Sequence, residues 1–343
     1  MSVEKKNIVA MATDPIYIGT GGFTIGRVDN TIVRDPITNI PKIPGSSLAG
    51  TWRYYMALEL QSSFKDEYKQ DRRKREEKRD NIEELFHSPK DWIKNFNGNR
   101  FSAIKCAGQD DEAQLTLEES KDKSGHCGHC IVCKSFGFSK KDKSNQGMLF
   151  FSDLNILFFP VYTRIGVKWI SSKRILNDNN LLREDFEEKE VVFISKEEQD
   201  KDNFINLGWL NLPYEKKDIK IDLSFIKKIE AKDIVIVPDS LISQIINSNL
   251  EVRTSVSIDP ITGAAKEGAL FTSEAIPRGT IFCGEIRGFK REGDSSLPKL
   301  EDVFSALMDS KQYYQSLGIG GMTTRGFGRL EILTNLNLGE SDE

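Results

Sequence analysis

The chain has 343 residues, 38% of them hydrophobic and 29% charged, with 26 Gly and 11 Pro. That length suits one elaborated domain or two compact ones, and the composition excludes wholesale disorder, collagen and coiled coil. The formal net charge of −4 argues against a generic polyanion binder, so any nucleic-acid contact must rest on local positive charge.

Residues 1–8, with Glu4, Lys5 and Lys6, lack the apolar core of a signal peptide. The most apolar stretch, residues 148–161, is interrupted by Ser152, Asp153 and Asn155 and is too short and polar to span a bilayer. The expectation is a cytoplasmic protein that meets no membrane.

Residues 7–45 read as extended chain punctuated by turn formers at Gly19, Gly21, Gly22, Gly26, Asp35-Pro36, Pro41 and Pro44-Gly45. Pro44-Gly45-Ser46-Ser47 then leads into a helical pattern through Leu48, Trp52, Tyr55 and Met56, with Ser46 or Ser47 as N-cap. Exposed amides at such a helix start, two hydroxyls and the Arg53 guanidinium can form an anion pocket; a plain N-cap would look similar. No Gly-Lys-Ser/Thr is present, so this is not a Walker loop. Residues 65–80 mix both charge signs with almost no apolar residue, as a solvated helix, a mobile insertion or an RNA-gripping arm would.

Five cysteines are an odd count, and three crowd into Cys127-x2-Cys130-x2-Cys133, which is metal spacing rather than a disulfide framework. Three thiolates so spaced can converge on one Zn²⁺, which wants four S or N ligands in a tetrahedron. The fourth place is open to His126, put first, to His129, which lies awkwardly between two cysteines, or to Cys106, for which the loop must fold back. A closed site of this kind stabilises a loop and performs no hydrolysis.

Residues 147–161 alternate as a strand would, residues 176–233 are polar and read as an insertion or smaller subdomain, and short strands resume at Ile234. Asp259-Pro260-Ile261-Thr262-Gly263 echoes Asp35-Pro36-Ile37-Thr38-Asn39, and each should be a hairpin tip in which Gly or Asn takes positive φ. Near the C-terminus, Gly318, Gly320, Gly321, Gly326 and Gly328 allow close backbone approach to a ligand, and Arg325 and Arg329 bracket Phe327. Cation beside aromatic suits a sugar-phosphate strand with unstacked bases, though a strained structural loop reads the same way. Three histidines, two flanking the cysteines, leave His87 alone, so carboxylates with a divalent ion must carry any hydrolysis. Asp29, in Gly26-Arg27-Val28-Asp29-Asn30, stands out as such a carboxylate or as a simple Asp-Asn turn.

Together these segments resemble the RAMP superfamily of CRISPR-associated proteins, and within it the backbone subunits (the seventh Cas family) of type III, Csm and Cmr, effector complexes. The resemblance rests on Ile32-Val33-Arg34-Asp35-Pro36-Ile37-Thr38-Asn39-Ile40-Pro41-Lys42-Ile43-Pro44-Gly45-Ser46-Ser47-Leu48-Ala49-Gly50, on the cysteine segment through Phe136-Gly137, on Ser257 to Gly263 with Leu270, Phe271, Glu274 and Pro277, and on Gly320-Gly321 to Gly328. It implies an α+β fold: one domain over residues 1–343 with an RRM-like (ferredoxin-like) core. Insertions would lie at 60–146, holding a charged helix and the zinc loop, and at 176–233, with a thumb-like β-hairpin at about 250–282. The implied role is to bind the guide (crRNA) backbone and polymerise along it beside other effector subunits. The guide would be held by Lys42, Ser46, Ser47, Arg53, Gly320, Gly321, Thr323, Arg325 and Phe327. In cleaving members the Gly-x-Val-Asp aspartate, here Asp29, supports Mg²⁺- or Mn²⁺-dependent cutting of paired target RNA by the ribose 2′-OH. Tyr17 stands where many relatives carry His, and Ala49 where they carry Lys. A non-cleaving scaffold and a stand-alone processor of precursor crRNA are the alternatives within the resemblance.

Overall fold

The computed structural model describes residues 2–21, 28–69, 81–102, 106, 126–139, 144–187, 191–197, 202–226, 228–290 and 293–336. The turn glycine Gly26 and most of the charge run at 65–80 therefore lie outside the described residues.

In chain order the strands and main helices are β1 (Ser2–Ala12), β2 (Lys42–Ile43), α1 (Gly45–Ser62), α2 (Ile131–Phe136), β3 (Phe138–Ser139), β4 (Ser144–Asn145), β5 (Leu149–Phe151), β6 (Leu154–Thr163) and β7 (Gly166–Ser172). There follow α3 (Lys173–Asp178), β8 (Val192–Ile194), β9 (Phe204–Leu207), β10 (Leu210–Lys216), β11 (Ile234–Val237), α4 (Asp239–Ser248), β12 (Glu251–Ile258), β13 (Ala265–Ala275), β14 (Ile281–Lys290), α5 (Leu300–Ser310) and β15 (Leu330–Ile332). A large mixed sheet runs β15-β1-β14-β6-β7-β11-β8-β10-β9, with β2 on β6 and β5 on β14. The β11–β7 and β10–β8 pairs are parallel, and the rest of this path is antiparallel. The fold is thus α+β.

Both sheet faces are covered, which is why β6 carries the continuous apolar run Ile156-Leu157-Phe158-Phe159. On one face α1 and α5 pack through Trp52, whose indole N–H donates to the Leu307 carbonyl at 3.1 Å. Tyr314 meets both Trp52 and Tyr55 edge-on, at 5.4 and 5.0 Å between ring centroids. The opposite face is closed by Leu176, Leu181, Phe186 and Phe193 over Leu157 and Phe158.

Residues 176–233, read from the sequence as an insertion or smaller subdomain, carry β8, β9 and β10 into the far end of the large sheet. The segment 13–41, expected as extended chain, is held by isolated bridges such as Gly19 to Ile32 and Arg34 to Pro41 rather than by long strands. Helix α1 begins at Gly45, one residue before the serines; Pro44 is the cap, and the Gly45 N–H is satisfied by Asp153 Oδ1 at 2.8 Å. Ser46 and Ser47 therefore lie in the first turn instead of capping it. A Cβ on Gly45 would stand 2.6 Å from the Phe151 carbonyl oxygen and 2.9 Å from that of Ser152. Gly45→Ala should accordingly destabilise the fold by about 1–3 kcal/mol through overpacking, read as a lowered thermal unfolding midpoint, whereas Gly50→Ala, facing open space, should not.

Candidate nucleic-acid interface and cysteine centre

The two Asp-Pro-Ile-Thr segments form the same turn. Asp35 Oδ1 accepts from Ile37 N (3.0 Å) and Thr38 N (2.9 Å), and Asp259 Oδ1 accepts from Ile261 N (2.8 Å) and Thr262 N (3.2 Å). Asn39 (φ 58°) and Gly263 (φ 66°) close them, so both are hairpin tips. Those amide donors hold the Asp35 carboxyl down to about 2. Each tip presents its isoleucine to solvent, Ile37 at 92% and Ile261 at 93% exposure. Behind Ile261, β12 and β13 form a two-stranded sheet of their own, with Val252, Val256, Ile258 and Leu270 exposed.

The hairpin root is joined to the rest of the interface at two places. Arg253 Nη1 donates to the Gly326 carbonyl at 3.2 Å, and its guanidinium lies 4.6 Å over the Phe327 ring. On the other edge Asn30 bridges Ser273, and Asp29 Oδ2 accepts from Thr272 N (2.8 Å) and Thr272 Oγ1 (2.9 Å). The Thr272 backbone N–H first, then its hydroxyl, hold the exposed Asp29 carboxyl below its ordinary range, so it is ionised at neutral pH.

The glycine-rich loop is fixed on its inner side. Gly328 N donates to Pro15 O at 2.8 Å, Gly321 N to Tyr17 O at 3.0 Å, and Ile319 N to Gly328 O at 2.8 Å. Gly328 needs its glycine twice over, with φ 91° and an added Cβ only 2.5 Å from the Ile319 carbonyl. Tyr55 OH donates to Gly318 O, which ties the loop to α1. Tyr17, at the His position of the family pattern, packs edge-on to Phe327 at 6.5 Å between centroids.

Three expected RNA ligands are engaged within the chain. Phe327 is only 4% exposed, its ring taken by Tyr17 and Arg253. Lys42 Nζ lies 2.7 Å from Asp153 and 3.3 Å from Asp35, pairs that raise its pKa. Burial works against ionisation of Asp153, and the Lys42 ammonium and Gly45 N–H outweigh it. Arg53 donates to the carbonyls of Cys106 (3.1 Å) and Gly137 (2.6 Å), with Nη2 2.7 Å from His126 Nδ1. Ser46, Gly320 and Arg325 are exposed, and Ser47, Gly321 and Thr323 half-exposed. Arg329, the other expected cation, pairs with Asp14 at 2.5 Å. Sequence reasoning missed Arg253 and Thr272, whose only signal is their place on the alternating strands of the hairpin.

The metal candidate departs from the expected set in one ligand. Cys106, Cys127, Cys130 and Cys133 bring their sulfurs within 4.8 Å of one another, which makes Cys106 the candidate for the fourth place. His126 stands beside the cluster with Nδ1 turned to Arg53. Cys130 N (3.2 Å) and His129 N (3.4 Å) donate to Cys127 Sγ, a turn made possible by Gly128 at φ 74°. Burial pushes the Cys130 thiol up, while hydrogen bonds from Cys106, Cys127 and Cys130 pull Cys133 down. Four clustered thiols, three of them buried, cannot all ionise alone, and a bound divalent cation would remove that conflict, so the donor set fits a metal.

An α+β chain whose large sheet carries such a glycine-rich loop and a projecting hairpin defines a recognisable class. A model of the RAMP superfamily matches residues 10–331, and the chain belongs to that superfamily. It is 26% identical over 215 residues to the CRISPR system Cmr endoribonuclease Cmr4 of Pyrococcus furiosus, a match covering 57% of this chain and 71% of that one. It is 47% identical over 45 residues to the Cms endoribonuclease Csm3 of Methanothermobacter thermautotrophicus, 13% of this chain and 18% of that one. Among solved structures it shares its fold with a chain of the type III-B Cmr-beta complex bound to cognate target RNA (TM-score 0.58, 15% identity, 96% of each chain covered). It does so too with oligomeric Cmr4 from Pyrococcus furiosus (TM-score 0.51, 20% identity, 97% and 100% covered).

Elemental analysis of the purified chain should find one transition-metal ion per molecule. Cys106→Ser and Cys133→Ser should each lose most of it and His126→Ala should keep it; retention by Cys106→Ser would return the fourth place to another residue.

Proposed function

We propose that this chain is a crRNA-binding backbone subunit of a type III or type III-derived CRISPR effector. Copies of it polymerise along the guide beside other effector subunits, present the guide for pairing, and cut the paired target RNA at regular intervals. One observation carries this reading. Helix α1, the glycine-rich loop, the projecting hairpin and Asp29 form an unbroken series of contacts through Tyr55–Gly318, Arg253–Gly326 and Thr272–Asp29 in a RAMP chain. Its relatives carry the name endoribonuclease, and one solved relative holds target RNA.

We read the core as RRM-like within one elaborated domain. In support, β1, β6, β14 and β15 are four strands interleaved with α1 and α5, and lie in the order fourth, first, third, second. The segments 60–146 and 176–233 are then insertions, and β12–β13 is the thumb. Ser46, Ser47, Gly320, Gly321, Thr323 and Arg325 hold the guide by hydroxyls, amides and one guanidinium. Such contacts grip the ribose–phosphate backbone without reading sequence. Lys42 and Arg53 shape this surface from behind. The four thiolates suit Zn²⁺ in a closed structural site that braces the loop against α1 through Arg53. The complex works in the cytoplasm and does not engage a membrane; among the described residues no helix is long and apolar enough to cross one.

The cut itself is transfer within the target strand. The ribose O2′ forms a bond to the adjacent phosphorus, the P–O5′ bond breaks, and the proton lost from O2′ is matched by one gained at O5′. The products are a 2′,3′-cyclic phosphate and a 5′-hydroxyl. Asp29 accepts a hydrogen bond from the attacking hydroxyl where the hairpin has splayed the strand and in-line geometry is accessible. Asp29 is a single carboxylate, and among the described residues only the cysteines cluster as metal ligands, so Mg²⁺ or Mn²⁺ would be held mainly by RNA phosphates and would offset their charge.

In complex assembled with a matched target and divalent ion, Asp29→Ala should lower cutting by about 10²–10⁴-fold with guide binding intact. Undiminished cutting would leave the scaffold reading, which Tyr17 at the family's His position favours. Arg325→Ala should weaken guide binding equally for all guide sequences and reduce the slope of log affinity against log salt by roughly one phosphate's worth.

A further inference from the structure

The carboxylate of Asp29 sits on the hairpin through a reciprocal contact that neither the family match nor the motif pattern assigns. The Thr272 hydroxyl accepts from Asp29 N at 3.1 Å and donates to Asp29 Oδ2 at 2.9 Å, while Thr272 N donates to the same Oδ2 at 2.8 Å. One side chain thus fixes both the backbone and the carboxylate of Asp29. The neighbouring residues repeat the attachment. Asn30 N donates to Thr272 O and Glu274 N to Asn30 O, both at 3.0 Å, and Arg34 pairs with Glu274 at 2.7 Å. Among the described residues, no other one donates a hydrogen bond to Asp29 Oδ1.

Thr272 is opposite Thr254, and Leu270 opposite Val256, on one face of the hairpin. The exposed apolar face therefore begins two residues, about 7 Å, from the residue that holds Asp29. Threonine suits such a mounting because its branched Cβ restricts χ1, which delivers the hydroxyl in one direction, and because that hydroxyl can donate and accept at once.

We propose that Thr272 is a positioning residue that mounts the Asp29 carboxylate on the β12–β13 hairpin, so that the hairpin which displaces a base also sets which phosphate is cut. This rests on the reading of Asp29 as the cleaving carboxylate. Cut position and base displacement then share one rigid reference, and a slack link between them would show as imprecise cutting.

The test uses assembled complex with matched target RNA and compares wild type, Thr272→Val, Thr272→Ser and Asp29→Ala. Valine keeps the branched shape and the backbone N–H but removes both hydroxyl bonds. It should lower the cutting rate on the order of 10- to 100-fold at unchanged target affinity. It should also spread cuts over neighbouring phosphates and move the acid limb of the pH–rate profile upward, because the carboxylate loses a donor that favours its charged form. Serine should restore rate, position and profile. Wild-type rate, position and pH profile in Thr272→Val, with Asp29→Ala inactive, would overturn the positioning role and leave the catalytic reading standing. Full activity in Asp29→Ala would overturn both. A loss in Thr272→Val that serine does not rescue, accompanied by a lowered unfolding midpoint, would assign the contact to hairpin stability alone and overturn the proposal.

Discussion

The interface depends on how helix α1 is fixed. Its first amide is held by Asp153 from the β5–β6 connection, and Gly45 lets the backbone settle against the Phe151 and Ser152 carbonyls. Half-way along, Trp52 is fully buried against α5, a side chain whose removal would typically cost about 3–5 kcal/mol. One turn on, Tyr55 bonds the glycine-rich loop, and from the flank Arg53 bonds the cysteine loop. Four elements far apart in sequence thus take their places from one helix. An error in its seating would be transmitted to all of them, because close-packed interiors pass displacement on rather than absorb it.

The distribution of charge follows from the same arrangement. An acidic chain that holds a polyanion must keep its carboxylates away from the strand or neutralise them. Here Asp35 and Asp153 are held by Lys42, Asp14 by Arg329, and Glu274 by Arg34. Most cations near the interface are therefore committed to carboxylates inside the chain. Among the expected site residues Arg325 stays exposed, beside hydroxyls and amides. On the proposed reading, a surface made this way would grip a ribose–phosphate chain by many modest, sequence-blind contacts, which suits a subunit that must hold any guide.

Much of this was legible in the residues, for reasons that are local. Asp-Pro-Ile-Thr-Gly fixes a turn by its own side chain and one positive φ, so the hairpin tip could be read without its surroundings. The apolar run of β6 and the close-approach glycines are likewise written in few residues. What was not legible depended on long-range closure. Cys106 is 21 residues before Cys127, and only the folded chain brings its sulfur into the cluster. Phe327 and Arg53 look like RNA ligands by type, yet the ring is buried against Tyr17 and Arg253, and the half-buried guanidinium bonds the Cys106 and Gly137 carbonyls. Strand β8 was hidden because a buried run of three residues is too short to identify a strand, and β10 because it is mostly exposed.

Asp29 joins both kinds of information. Its segment marks a turn, but what it does there is set by a threonine 243 positions away. A two-stranded hairpin is marginal by itself in water. This one has an exposed apolar face and, among the described residues, no further strand along β12, so its root is steadied by the segment from Asp29 to Arg34 along β13 and by Arg253 of β12 on Gly326 and Phe327. One of the hairpin's two anchors therefore also places the carboxylate. On the proposed reading, stability and chemistry draw on the same hydrogen bonds, and the exposed, ionised Asp29 is where that double demand reaches the surface.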